Sequence, residues 1–223
     1  SSAPRPWFGV ISLEAPHPPY DASAAGIQAR DATEIVLPKN VPLGGESEAR
    51  ARRELSGYHA HIEATDRGIA QLLANVNCER TLVVFTSVHG DMHGAHGLFR
   101  KGWPHEESVR VPLLVRVPGE IPRRDDSSVS ILDLGELCLA RIENRKSKIE
   151  NAFARISMPS VVALPHQCDR VWRGVRTRSR KFVLNADGSP WLFYDLERDP
   201  LETRNLVSDG AWAAEIAALR ARI

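Results

Sequence analysis

Three features of the 223-residue sequence predict an α/β protein: strand-length apolar runs, one long amphipathic stretch between them, and a β-rich tail. Thr81 to Ser87 (TLVVFTS) is continuously apolar and β-branched, as central strands of a parallel sheet are. The expected architecture is an α/β core, its mostly parallel sheet flanked by helices, with a small C-terminal α+β subdomain. A chain of this length with 43% apolar residues can bury one sizeable core and a small appendage.

Taken in order, Trp7 to Leu13 (WFGVISL) is apolar and ends at the proline-rich Ala15 to Tyr20. Proline fixes φ and removes a donor, so a buried strand running into a rigid loop is expected. Asp21 to Gly45 shows no sustained period and reads as a long ordered loop. From Ser47 to about Asn75, Leu55, Tyr58, Ile62, Ile69, Leu72 and Leu73 recur on one helical face. After the strand at Thr81 to Ser87 comes a Gly- and His-rich loop. A short helix is then expected at Glu106 to Val109, a strand at Pro112 to Val117, and a helix at Asp133 to Ile142.

Ile142-Glu143-Asn144 recurs as Ile149-Glu150-Asn151 around Arg145-Lys146-Ser147-Lys148, which suggests a solvated insertion. Val171 to Leu196 gives three short strands around the turn Asn185 to Gly188, and Ala211 to Arg222 a final helix. The domain reading is therefore 1–141 for the α/β domain, 142–170 for a low-complexity insertion and linker, and 171–223 for the subdomain.

With 29 basic and 28 acidic residues, nothing calls for nucleic acid or an acidic membrane surface as partner. No apolar run approaches a membrane span. The chain opens Ser1-Ser2-Ala3-Pro4, without an initiator Met or a signal peptide, as a processed product or a fragment does. Cys78, Cys138 and Cys168 are few and far apart, as ordinary free thiols are.

Chemistry concentrates in Thr86-Ser87-Val88-His89-Gly90-Asp91-Met92-His93-Gly94-Ala95-His96-Gly97. His89, His93 and His96 invite a zinc reading, but the glycines between them disfavour the helix that would align them. The same stretch continues through Lys101-Gly102 to Glu106-Glu107-Ser108-Val109-Arg110-Val111-Pro112-Leu113. In order and spacing it resembles the sulfatase pattern of strand, Thr-Ser-Asp-His-Gly-Asp, Gly-x-His-Gly, Lys-Gly and Glu-Glu-x-x-Arg-x-Pro-Leu. Pro16-His17-Pro18-Pro19-Tyr20, Ser130 to Leu134, Tyr194-Asp195-Leu196, Asp199-Pro200-Leu201-Glu202 and Asn205-Leu206 are similar to further segments of that family.

The resemblance implies the alkaline-phosphatase-like fold and hydrolysis of a sulfate ester through formylglycine and a calcium ion. A divalent cation with Lys and His donors suits an anionic transition state. By position, His17 and Lys101 would be catalytic, His17 at the sulfate or its leaving oxygen and Lys101 on the sulfate. His89 would lie at the metal, and Asp133, Asp195 and Asp199 would be structural.

Two departures stand out. Val88 replaces the usual metal-binding Asp, which should weaken a calcium site. No Cys-x-Pro-x-Arg or Ser-x-Pro-x-Arg occurs, so the chain reads as the C-terminal part of a sulfatase without its nucleophile, inactive on its own and with apolar surface left exposed. Two alternatives stand beside this reading: a phosphodiesterase or phosphonate monoester hydrolase of the same superfamily, and a non-catalytic truncated remnant. Many sulfatases are exported, which implies an extracytoplasmic location. Oligomeric state is not legible in the sequence.

Overall fold

The computed structural model describes residues 5–21, 24–149, 152–161 and 164–223, and its backbone divides into two compact units. The first comprises Ser1–Val36 with Arg52–Asn75, the second Leu37–Ala51 with Val76–Ile223.

The first unit is organised by helix α1 (Gly45–Leu73), close to the expected bounds, which enters it at Arg52. Its buried face uses small residues as well as Leu55: Ser56, Gly57 and Ala60 are also buried, whereas Ile62 is 41% exposed. Small residues allow close approach. A Cβ on Gly57 would sit 1.8 Å from the Tyr20 carbonyl oxygen, and the Tyr20 ring meets Tyr58 edge-on at 5.7 Å. Side chains then strap the ordered loop to the helix: Ser56 Oγ donates to the Arg30 carbonyl and Arg52 Nη1 to that of Ile35.

One expectation fails in this unit. Residues 7–13 form no strand, and Trp7 and Phe8 are 68% and 88% exposed. An apolar β-prone sequence becomes a strand only when a neighbouring backbone completes its ladder, and none pairs with it among the described residues.

In the second unit β1 (Val83–Thr86) pairs with β2 (Leu113–Arg116), with Val84 opposite Val115. The pair is antiparallel, not parallel as expected of this strand. The connection explains the direction. Residues 87–112 make no crossover helix; they hold a 3₁₀ turn (Ala95–Gly97) and the four-residue α2 (Glu106–Val109), and Gly90 N donates to the Ser108 carbonyl where the loop doubles back. Helix α3 (Leu134–Ile142) follows a 3₁₀ turn whose capping box joins Ser130 and Asp133, so Asp133 is the structural cap expected.

Residues 142–170, read as insertion and linker, contain strand β3 (Phe153–Met158). It is the edge of an antiparallel sheet ordered β3-β4-β5-β6, with β4 (Trp172–Thr177), β5 (Arg180–Asn185) and β6 (Pro190–Asp195). Of the charged repeat, Glu150 and Asn151 lie outside the described residues. The part before them is tied down, because Arg145 forks onto Glu136 of α3 at 2.7 and 2.9 Å. One face of the sheet packs Phe153, Val175, Phe182 and Phe193 against Leu219 of helix α4 (Ala213–Arg220). The other packs Trp172, Val183, Leu192 and Tyr194 against Trp103 and Val109. Both faces are therefore covered, and Phe182, Val183 and Leu184 make the middle of β5 apolar on both sides. Among the described residues no helix is long and apolar enough to cross a membrane.

Candidate active site

The loop leaving β1 carries His89 and Lys101, and backbone bonds fix its path. Met92 N donates to the Arg100 carbonyl, Gly94 N to that of Leu98, and Trp172 Nε1 to that of Gly102 at 2.7 Å. Gly90 is needed for the first approach, since a Cβ there would lie 2.0 Å from the Glu107 carbonyl oxygen.

His89 is half-buried, and its Nδ1–H donates to the Gly90 carbonyl at 2.9 Å. That bond places the ring's lone pair on Nε2, the arrangement of a metal-binding or proton-accepting imidazole. Lys101 lines the same cleft as His89, a cavity of 1540 Å³ that also includes Thr86, Val88 and Trp103. Burial lowers the Lys101 pKa from its usual value; Asp91 opposes that shift and Arg100 adds to it. Val88, at the rim, is 77% exposed and offers no donor atom.

His17 belongs to the first unit and is exposed, with Nδ1–H donating to the Pro18 carbonyl at 2.8 Å, so its lone pair too is on Nε2. The structure thus brings His89 and Lys101 to one cleft and carries His17 on the other unit. His93 is not in a three-histidine array with His89. Its Nδ1 lies 3.9 Å from Asp91 Oδ1 in a buried position.

A second polar centre escaped the sequence reading. Lys181, fully buried in β5, holds Nζ 2.8 Å from Glu106 Oε1 and 2.7 Å from Glu202 Oε1. Arg176 adds a 3.0 Å contact to Glu106 Oε2, and Glu202 Oε2 accepts from Glu106 N at 2.7 Å. Burial alone would raise the Glu106 pKa, but Lys181 and Arg176 more than reverse that and bring it to about 2. Glu202 is lowered as well, Lys181 overcoming its burial. Beside this core His96 and His105 stack at 4.3 Å, and Asn40 Nδ2 contacts His96 Nε2, Glu107 Oε1 and the Leu201 carbonyl. The one signal available in the sequence was Lys181 itself, a cation directly before the apolar run Phe182-Val183-Leu184.

A sequence model of the sulfatase family, described as "Sulfatase", matches residues 1–140, more than half of the chain. The chain belongs to the sulfatase family. The ulvan-active sulfatase of Formosa agariphila is 28% identical over 226 residues, covering 91% of this chain and 44% of that protein. A solved structure from Bacteroides thetaiotaomicron, reported with that organism's glycosaminoglycan-metabolising core locus, superposes with a TM-score of 0.70 at 20% identity. It covers 92% of this sulfatase chain and 51% of its own. A phosphonate monoester hydrolase from Silicibacter pomeroyi superposes with a TM-score of 0.61 at 20% identity, over 81% of this chain and 42% of its own. These likenesses establish the alkaline-phosphatase-like fold for the part present. This sulfatase chain spans about half the length of the curated relatives it matches.

Proposed function

We propose that the chain is the later part of a sulfuric ester hydrolase of the arylsulfatase type, and that Lys101 is its contribution to sulfate binding. The observation that carries this reading is the Lys101 ammonium, partly desolvated, in one cleft with the His89 imidazole. A desolvated cation stabilises the extra negative charge of the transition state more strongly than a solvated one. In this proposal water, in the net reaction, supplies the oxygen of the new S–O bond as the ester S–O bond breaks, the alcohol oxygen leaves with a proton from that water, and Lys101 hydrogen-bonds a sulfuryl oxygen throughout. His17, assigned to the leaving oxygen, holds that role on the family resemblance alone.

Val88 and His89 do not themselves make a calcium cradle. Calcium takes carboxylate and carbonyl oxygens, whereas Val88 is hydrocarbon and His89 presents nitrogen. The calcium and formylglycine that the resemblance implies therefore rest, in this proposal, on residues other than these. None of the 223 residues lies in a Cys-x-Pro-x-Arg or Ser-x-Pro-x-Arg motif. The extracytoplasmic location remains part of the same proposal.

The test is turnover of an aryl sulfate and of a matched phosphonate monoester by the longest gene product containing this chain. Sulfate ester turnover is expected to dominate, with none from these 223 residues alone. Lys101→Ala should lower kcat roughly 10²-fold or more, the scale of losing one transition-state donor. With its pKa lowered, Lys101 loses its charge below the usual lysine range, so kcat should fall on the alkaline side, and Lys101→Arg should move that limb to higher pH. Preference for the phosphonate ester would instead favour the hydrolase of that class. No turnover of either ester by the longer protein would favour a non-catalytic remnant.

A further inference from the structure

The polar centre around Glu202 has a donor count that its hydrogen bonds do not close. Asn40 has two amide hydrogens but faces three acceptors within 3.2 Å: His96 Nε2, Glu107 Oε1 and the Leu201 carbonyl. One of the three goes unserved, and the carboxylate and carbonyl are the stronger claimants. His105 is 7% exposed, and its Nδ1 has no hydrogen-bond partner; Glu202 Oε2, the nearest carboxylate oxygen, is 3.6 Å away. Glu107 Oε2 is likewise buried without a partner. Two imidazole edges whose hydrogen bonding is incomplete thus stand beside the Glu202 carboxylate.

Charge points the same way. Glu106 and Glu202 are held by Lys181 and Arg176, whereas Glu107 is held by the neutral Asn40 amide, so three carboxylates meet two Lys and Arg cations at this centre. A buried uncompensated carboxylate is costly, and a bound dication would relieve that cost. One ligand atom each from His96, His105 and Glu202 lies within 4.8 Å of the others. Bonds of about 2.0–2.2 Å in a tetrahedron need donor separations of about 3.3 Å, so closure takes a shift of about 1.5 Å at most.

We propose that His96, His105 and Glu202 bind a zinc-type dication, with water as fourth ligand. Two imidazoles and one carboxylate select zinc or cobalt over calcium, which needs more oxygens than this pocket presents. On binding, the His96 ring tilts out of its stack on His105, and the Asn40 amide is freed to serve Glu107 and the Leu201 carbonyl. The ion joins the β1 loop to the segment after β6 and acts as a structural tie. This inference is independent of the sulfatase chemistry, since neither His89 nor Lys101 takes part.

The experiment is titration of the chelator-stripped chain with Co²⁺ at pH 7.5, read by visible ligand-field absorption and followed by Zn²⁺ competition. One equivalent is expected to give the intense bands of a four-coordinate site; Zn²⁺ should abolish them and raise the thermal midpoint by several degrees, and Ca²⁺ at equal concentration should do neither. His105→Gln leaves the Lys181 ion pairs intact and should weaken binding at least tenfold. If that variant fails to fold by circular dichroism, His96→Asn is read in the same way. No cobalt band up to millimolar metal overturns the proposal, as does a band unchanged in whichever of these variants is folded.

Discussion

Lys181 joins α2 and the segment after β6 to the middle of the C-terminal sheet. Its ammonium is fully buried between Glu106 and Glu202, so each charge is stabilised by the others and stranded without them. Both carboxyls have pKa values below the usual carboxylate range, Glu106 at about 2. A lowered folded-state pKa contributes stability that is fully present above about pH 4.5 and is lost as the pH falls through about 2. Wild-type stability should therefore decline between those limits in urea unfolding. Lys181→Met should cost about 3–5 kcal/mol at pH 7, by stranding the Glu202 carboxylate and leaving Glu106 with Arg176 alone. It should also reverse the sign: the variant gains stability from pH 7 to 5, as its unpaired Glu202 carboxyl takes up a proton. Equal stability of the two proteins at pH 7 would mean the ion pairs carry no weight. This centre was hard to read in the sequence because its members, from Asn40 to Glu202, meet only once the chain is folded. His89 and Lys101 were legible because both lie on one short loop behind a recognisable strand.

At the scale of elements, the sequence is a good guide where local chemistry decides and a poor one where partners decide. Helix α1, the Ser130–Asp133 cap and the turn at Gly188 follow from periodicity, capping and positive φ, all written in neighbouring residues. Residues 7–13 and β3 went the other way. The first is strongly apolar yet lacks a ladder partner, whereas the second sits beside a charged repeat yet pairs with β4 along its whole length. Two glycines separate local from tertiary control. Gly174 in β4 faces β5, where an added Cβ would sit 2.4 Å from the Phe182 carbonyl oxygen. Gly174→Ala should thus cost about 1–3 kcal/mol by forcing the strands apart. Gly135 in α3 has nothing within 4 Å of its would-be Cβ, and Gly135→Ala should stabilise by about 0.4–1 kcal/mol. Opposite shifts in the urea midpoint check the pair; a Gly174→Ala midpoint no lower than that of the parent would refute the packing of β4 on β5.

At the scale of the whole molecule, the unusual property is apolar surface. Trp7, Phe8, Val10 and Ile11 are each more than half exposed within one short segment, and in the second unit Val88 and Leu114 are as well. Scattered apolar residues are ordinary on protein surfaces, but a contiguous extended run with unpaired backbone can add to any sheet edge it meets. The chain as it stands should therefore self-associate with rising concentration and bind a hydrophobic dye while its C-terminal sheet remains native. The packing gives that sheet a reason to persist: its two apolar faces are covered by α4 and by Trp103 and Val109, without help from residues 7–13. Charging the exposed run with Phe8→Lys and Ile11→Lys should cut dye binding and association at least severalfold and leave the thermal midpoint of the sheet unchanged. Light scattering and dye fluorescence, read beside near-ultraviolet circular dichroism, distinguish the outcomes. Association that persists in the double variant would move the sticky surface to the second unit, where Leu114→Lys is the corresponding substitution. A fall in the sheet's own midpoint would show that residues 7–13 support the fold and are not merely displayed by it.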